Sequence, residues 1–501
     1  MDVLGRIPDG DELSVFLAAK EADKQAKLVG RLLNDDRYVE EYARHWTTIW
    51  TVLLIGRSGG TERNTFTSRE GMLKYLRDSF ARNKPYNVMV RELVTATGGT
   101  SPGSENFNGA TNYLAMKIND EKATLATSAT ARIFLGLQVQ CTQCHNHPFN
   151  EWKQDKFWQF NSFFRQSRVL PRFVQGTRDV QSAELVNQDF AGEGSPPEPS
   201  RAEIYYELRN GLLEVAYPVF IDGTEIPTSG YLKEVNRRDE LGKLILNSPY
   251  LDQCVANRYW GHFLGYGFTK PVDDMGPHNP ASHPQLLEYL GQEVRKNSYN
   301  LKELIRWITL SEAYSLSSRV VAGNKRDDPL LGETPRFSHF YLRQMRAEEL
   351  YHSLLTASRA EAARGTYEEQ ERMKQQWLSQ FVTAFGNDEG EEATTFNGTI
   401  PQALMMFNGE LIQRAIDTSR GAFLWELASD TKLRPQQKFD QLFLAALARR
   451  ATRDELKAAE TLLAGHAAHP ELKGDLARAS LAALQDMWWA VLNSNEFIIN
   501  H

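Results

Sequence analysis

The chain has 501 residues, of which 41% are hydrophobic and 24% charged, and its formal net charge is −7. This composition is ordinary for a globular protein, and the modest negative charge argues against binding to nucleic acid or to an anionic membrane. No apolar run approaches the roughly 20 residues that span a bilayer, so no membrane span is expected, and the length predicts at least two domains.

The first third of the chain has apolar side chains at three- and four-residue steps, the spacing of amphipathic helices. This spacing is found over residues 11–54 and 68–80, and again over 88–96 before two glycines. A further helix is predicted from about residue 121 to His145. These segments together predict a helical domain over residues 1–168.

The middle of the chain has a different pattern. Two strand-like runs, residues 203–208 and 212–217, are joined through Asn210 and Gly211, and an Asn-Gly pair is a strong hairpin signal. Helical spacing returns at residue 236 and continues to the end. The predicted fold class is therefore mainly α, with helical domains over 1–168 and 236–501 joined by a linker, 169–235, that contains a short β-hairpin.

The most informative stretch is Cys141-Thr142-Gln143-Cys144-His145, which holds two of the three cysteines of the chain. A Cys-x-x-Cys-His sequence is the attachment signature of c-type haem, in which both thiols bond the porphyrin and the histidine ligates the iron. On the predicted helix these three side chains share one face. The pattern predicts haem c on Cys141 and Cys144, with His145 as an axial ligand.

Other interpretations of the same residues stay open. Cys141, Cys144, His145 and His147 would suit a tetrahedral zinc site, or a site for another transition metal, although the second half of the spacing is compressed. The two cysteines would also suit a disulfide or a redox dithiol, and two buried structural thiols are the simplest alternative. The motif alone therefore predicts a metal or redox role more strongly than it predicts haem.

Residues 135–149, which include the Cys-x-x-Cys-His sequence and His147, resemble the signature of the planctomycete cytochrome-C-associated domain of unknown function 1549. The segments 257–260, 271–274 and 282–287 resemble its usual companion, domain of unknown function 1553. The resemblance covers nearly the whole chain. It implies an exported protein of the periplasm or cell surface, associated with c-type cytochromes and often linked to polysaccharide breakdown.

The resemblance also implies that the chain lacks its natural start. No basic and apolar export signal precedes Gly5, and residues 4–8 resemble a segment that family members reach after a preceding helix. The export signal is therefore expected in a missing N-terminal part.

Several residues of the second half are candidates to complete a site. Asp273 and Asp274 are suited to acid/base catalysis or to holding a cation, and Arg258 to binding a carboxylate or sulfate group. His262, His283 and Met275 are candidates for a second axial ligand, and His283 is also a catalytic candidate. Turn caps, helix starts and buried Arg–carboxylate pairs are ordinary explanations of the same residue types.

Three hypotheses about function follow. The first is an exported redox protein with one covalent haem, which acts as a haem-dependent oxidoreductase if the second axial position is open and as an electron carrier if it is filled. Its partner would be a redox protein or a small molecule. The second is a non-haem metal enzyme that uses Cys141, Cys144, His145 and His147. The third is a carbohydrate-binding or scaffold protein with a structural Cys motif, in which aromatic side chains stack on a polysaccharide.

Overall fold

The protein is mainly α, as predicted. The computed structural model describes residues 1–118, 122–359, 366–372, 374–376 and 409–500. Within these residues, no helix has the length and apolar character needed to cross a membrane.

Helices make up most of the described chain. In chain order they are α1 (Gly10–Ala18), α2 (Lys24–Asn34), α3 (Val39–Ile55), α4 (Arg69–Ala81), α5 (Tyr86–Thr95), α6 (Thr111–Lys117), α7 (Thr124–Leu135), α8 (Gln154–Asn161), α9 (Arg237–Asn247), α10 (Pro249–Leu264), α11 (Pro284–Lys296), α12 (Leu301–Thr309), α13 (Ala347–Ser358), α14 (Glu410–Ala415), α15 (Phe423–Ser429), α16 (Pro435–Leu447), α17 (Arg453–Ala468), α18 (Leu476–Leu492) and α19 (Asn495–Ile498). The strands are β1 (Gly98–Gly99), β2 (Ser167–Phe173), β3 (Val180–Asn187), β4 (Ile204–Glu207), β5 (Leu213–Ala216), β6 (Arg343–Gln344) and β7 (Ile499–Asn500).

The described chain forms two compact units. One comprises residues 36–314 and 326–337, and we call it the motif unit because it contains the Cys-x-x-Cys-His sequence. The other comprises residues 1–35, 315–325 and 338–501. Every residue predicted to belong to a functional site lies in the motif unit.

Helix α10 is central to the motif unit. It packs against α7, α9, α11 and α12, and buried apolar residues occur on all its sides, as expected of a helix enclosed by other elements. Its ring Tyr259 stacks on Trp46 of α3 with ring centroids 4.7 Å apart. The neighbouring Trp50 donates from Nε1 to the Tyr259 hydroxyl at 3.4 Å. These buried rings belong to the core of the motif unit.

Two small antiparallel sheets complete the motif unit. The first has the strand order β1-β3-β2, which the sequence did not predict. The second is the predicted hairpin, in which β4 pairs with β5 and Tyr205 lies opposite Val215. Gly211 has a φ of +81°, a conformation that glycine adopts without steric cost, and the hairpin prediction is confirmed.

The compact units do not coincide with the predicted divisions at residues 168 and 236. Residues on both sides of the predicted linker lie in the motif unit. A physical reason is the pair Arg237 and Arg238 at the start of α9, both fully buried. Their guanidinium groups donate hydrogen bonds to backbone and side-chain oxygens before and within the predicted linker, which holds the segment against the helices.

The second unit has its own core. It is formed by α13, α15, α16 and α18, with fully buried Leu424 and Trp488 near its centre. Trp488 donates from Nε1 to the Ala415 carbonyl at 3.0 Å, so its polar atom is satisfied inside this core. The short strands β6 and β7 pair antiparallel, with Arg343 opposite Asn500.

Candidate functional site

The Cys-x-x-Cys-His sequence lies on a short 3₁₀ turn. Helix α7 ends at Leu135, and residues Gln140–Gln143 form the turn, so the prediction of one helix reaching His145 is wrong. Gly136 ends α7 with a φ of +67°, and its carbonyl accepts a hydrogen bond from Met275 N at 2.7 Å. A Cβ on Gly136 would lie 2.6 Å from the Met275 methyl, so the end of α7 requires glycine.

The turn nevertheless places both thiols together. In a 3₁₀ helix, side chains at i and i+3 eclipse, so Cys141 and Cys144 project to the same side. Cys144 follows the turn with helical dihedral angles, and both cysteines are exposed with free thiols. The predicted common face of Cys141, Cys144 and His145 is thus replaced by a turn that relates only the two cysteines, because His145 lies beyond it.

Hydrogen bonds from buried side chains stabilise the backbone of the turn. Thr142 is fully buried and its hydroxyl donates to the Val139 carbonyl at 2.6 Å. The Gln143 carbonyl accepts from Trp158 Nε1 at 3.1 Å and from Gln154 Nε2 at 3.2 Å. These bonds fix the turn while its thiols stay accessible.

The two histidines of the motif are set in opposite tautomers. His145 Nδ1 lies 2.7 Å from the Asn146 carbonyl oxygen, which can only accept, so Nδ1 carries the hydrogen and Nε2 presents a lone pair. His147 Nδ1 accepts from Phe149 N at 3.2 Å, so the neutral His147 ring carries its hydrogen on Nε2. Of the two residues, His145 offers the nitrogen that suits a metal ion.

His147 faces a carboxylate–histidine pair from the second half of the chain. Its ring centroid lies 6.1 Å from that of His278, whose Nε2 is 2.9 Å from Asp274 Oδ1. Desolvation and the neighbouring His278 lower the pKa of His147, against the opposing effect of Asp274. His278 was not predicted as a site residue, although its position four residues after Asp274 was a usable signal.

Asp273 has different surroundings from Asp274. It is 4% exposed, and its Oδ1 accepts from Gln138 Nε2 at 3.0 Å. Arg132 Nη1 lies 3.8 Å from its other oxygen. Asp273 therefore joins the residues just before the motif to the loop at 271–274, which is a structural contact.

Arg258 also makes a contact that stabilises the fold. Its Nη2 donates to the Ile133 carbonyl at 3.5 Å, and Cys254 Sγ donates to the same oxygen at 3.3 Å. Both side chains lie on α10 and bind the last turns of α7. This interaction supports the helix that precedes the motif.

The two remaining histidine candidates belong to aromatic clusters. His262 lies among rings of α3 and α10, and His283 lies among rings from the loop after α10 and from a segment after α12. The contacts of His262 are with His45, Trp46 and Phe263, and those of His283 are with Phe268 and Phe337. The structure thus brings His147, Asp274 and His278 together, and places His262 and His283 in other surroundings.

No three His, Cys, Asp or Glu side chains in the described part of the chain are grouped closely enough to hold a metal ion. Cys141, Cys144, His145 and His147 are all among the described residues. The structure therefore does not bring the four residues of the zinc-like alternative together as one ligand set.

When the chain is expressed without a cytochrome c maturation system, so that both motif thiols are free, alkylation of the folded protein with iodoacetamide is expected to modify Cys141 and Cys144 and to spare Cys254. Cys254 is fully buried, and burial raises the pKa of its thiol to about 11, so it stays protonated and unreactive. Peptide mass spectrometry before and after unfolding measures the three sites separately. A Cys141→Ser, Cys144→Ser variant should take up no label until it is unfolded, and rapid labelling of Cys254 in the native protein would contradict the packing of α10 against α7.

Two family models match the chain. Residues 1–169 match PSCyt2, described as a protein of unknown function (DUF1549), and residues 237–463 match PSD1, described as a protein of unknown function (DUF1553). These limits adjoin the predicted domain limits at 168 and 236. No curated protein and no solved structure matches the chain.

Proposed function

Because the chain belongs to the family in which domain of unknown function 1549 precedes domain of unknown function 1553, we propose that it is a redox protein with one covalently attached haem c. Cys141 and Cys144 would bond the porphyrin, and His145 would ligate the iron. The observation that carries the proposal is the anchored 3₁₀ turn, which exposes two free thiols on one side and is followed by a histidine with Nε2 available.

The side chains of the motif fit haem attachment better than they fit a zinc site. In c-type attachment the cysteines bond the porphyrin and only the histidine ligates the metal, so one protein ligand is sufficient. A structural zinc site needs four ligands in a tetrahedron, and a catalytic zinc site needs three. Since the described residues do not assemble such a group, the arrangement favours attachment of a porphyrin. A bound haem would supply one-electron exchange.

The residues of this chain would hold and orient the group. The hydrogen bond between His145 Nδ1–H and the Asn146 carbonyl would fix the tautomer and the ring orientation, as the hydrogen bond of the other ring nitrogen does in metal-ligating histidines. His147 with Asp274 and His278 places groups able to hold protons in the same loop region.

The surroundings of the candidate second ligands favour an oxidoreductase over an electron carrier. Met275 is packed against Gly136, and His262 and His283 are packed in aromatic clusters. A haem iron held by His145 as its one protein ligand would have room to bind a substrate. The same proposal places the protein in the periplasm or at the cell surface, with a redox protein or a small molecule as its partner.

Expression together with a cytochrome c maturation system tests the proposal. The purified chain is expected to show a Soret band that stays with the polypeptide after denaturation, because thioether bonds survive unfolding. A Cys141→Ala, Cys144→Ala variant should lose the covalent band, and Cys254→Ala, a change of the same residue type away from the motif, should retain it.

A folded wild-type protein without a covalent band would overturn the haem proposal. Metal analysis of that sample would then test the alternative of a non-haem metal enzyme. One transition-metal ion per chain that is lost when His145 and His147 are mutated would support this alternative.

A further inference from the structure

A second candidate site is a cleft of about 370 Å³ in the motif unit. It lies between the start of α10, the loop at 269–281 and the start of α11. Its volume is within the range of about 300–1,000 Å³ that is typical of small-molecule sites. None of the site residues assigned above except Met275 contributes to its wall.

The lining of the cleft disfavours charged ligands. Its apolar part includes Met275, Ala281 and Leu287, and its polar side chains are neutral ones, among them Tyr250 and Gln253. Since none of the residues that line the cleft is charged, an ionic ligand would lose water without gaining a partner of opposite charge. The lining therefore favours an uncharged molecule with an apolar body.

One polar group of the wall is fixed in its orientation. Asn279 Nδ2 donates to the Lys270 carbonyl at 3.1 Å and to the Asp274 carbonyl at 2.7 Å, so its amide nitrogen is already used. The group that Asn279 can offer to a ligand is its oxygen, an acceptor. Tyr250 and Gln253 can each donate or accept. A ligand that carries a hydroxyl group satisfies this combination.

We propose that the cleft binds a small neutral alcohol with an apolar body. The bound molecule would contact the loop that carries Asp274 and His278, since Asn279 is hydrogen-bonded to the Asp274 carbonyl and Met275 lines the cleft. The site does not depend on haem, so its test is independent of the test of the proposed function.

Saturation-transfer NMR on the full chain, with cyclohexanol and phenol as probes, tests the proposal. Both are expected to bind saturably, whereas benzoate and cyclohexylammonium, which have similar rings but carry a charge, are expected to bind at least tenfold more weakly. Ala281→Trp should fill the cleft and abolish binding. Leu286→Trp is the matched control, since Leu286 is 37% exposed, lies beside Leu287 and does not line the cleft.

A milder variant guards against misfolding of Ala281→Trp. Gln253→Leu keeps the size of the side chain and removes its hydrogen bonds, and it should weaken the neutral probes about fivefold, the effect of one hydrogen bond. The proposal is overturned if neither neutral probe saturates, if the charged probes bind equally well, or if Gln253→Leu and a folded Ala281→Trp both bind like the wild type.

Discussion

Replacing Arg238 with methionine is expected to lower the free energy of unfolding by about 2–4 kcal/mol. The guanidinium group of Arg238 is fully buried. Its Nη1 donates to the Val94 carbonyl at 3.1 Å and to the Ala96 carbonyl at 2.8 Å. Its Nε and Nη2 both donate to Asn187 Oδ1, at 2.9 and 2.6 Å. One side chain thus joins the end of α5, the end of β3 and the start of α9.

Two opposing effects decide the sign of this change. Burial lowers the pKa of Arg238 to about 10, so the group is still charged at neutral pH, and methionine would remove the cost of burying that charge. Methionine would also leave the buried Val94 and Ala96 carbonyl oxygens without this donor, at about 1–3 kcal/mol each, and would end two bonds to the half-buried Asn187 that are strong because the donor is charged. The loss of the bonds is the larger effect, because the guanidinium makes four of them.

Urea unfolding followed by tryptophan fluorescence measures the effect, because Trp46 and Trp50 are buried in the same unit. Lys243→Met is the matched control, since Lys243 lies on the same helix with its side chain 62% exposed and pairs with Glu240 at the surface. The control should change stability by less than about 0.5 kcal/mol. If Arg238→Met were as stable as Lys243→Met, the bonds of Arg238 would not be what holds the segment to the helices.

The helices and the hairpin were predictable because their signals are local. Apolar side chains at three- and four-residue steps identify the buried face of a helix such as α3. Asn210 and Gly211 specify a tight turn by their own backbone preferences, and the strands on both sides follow. No residue far along the chain is needed for either prediction.

The end of α7 depends on a distant residue and was missed. Gly136 is compatible with a helix interior as well as with a C-cap, and the apolar spacing continues through Leu137 and Val139. The side chain of Met275 and its backbone bond to Gly136 stabilise the cap, and Met275 belongs to the loop between α10 and α11, far from Gly136 in sequence. The apolar periodicity predicted that the helix continues past Gly136. Packing against a segment that is distant in sequence ends it there instead.

The motif itself was identified from sequence because cysteine and histidine spacing has few structural explanations. The division of roles between Asp273 and Asp274 was not predictable, since adjacent carboxylates in a loop have the same local pattern. Side chains of adjacent residues point in different directions, and here Asp273 meets Gln138 whereas Asp274 meets His278. Which carboxylate is buried depends on Arg132 of α7 and on Gln138, which follows α7, and both are distant in sequence.

Alanine substitutions of the two aspartates are expected to have separate effects. Asp273→Ala should lower the free energy of unfolding by about 0.5–1.5 kcal/mol, because it removes the hydrogen bond that the buried Asp273 carboxylate accepts from Gln138, while the exposed Gln138 amide can bond to water instead. Gln138 lies three residues before Cys141, so under the proposed function the same change should also reduce the yield of covalent haem per folded chain.

Asp274→Ala should change the tautomer of His278 more than the stability of the protein. The Asp274 side chain is 21% exposed, so water can take over part of its hydrogen bonding to His278. The free energy of unfolding should therefore fall by less than about 1 kcal/mol. Its carboxylate is the group that fixes the hydrogen of His278 on Nε2. Long-range ¹H–¹⁵N NMR of the histidine rings should therefore show a mixture of His278 tautomers in Asp274→Ala and a single tautomer in Asp273→Ala. An equal loss of stability in both variants, with the His278 tautomer unchanged, would mean that the two carboxylates have the same structural role and that the Asp274–His278 pair has no part in the site.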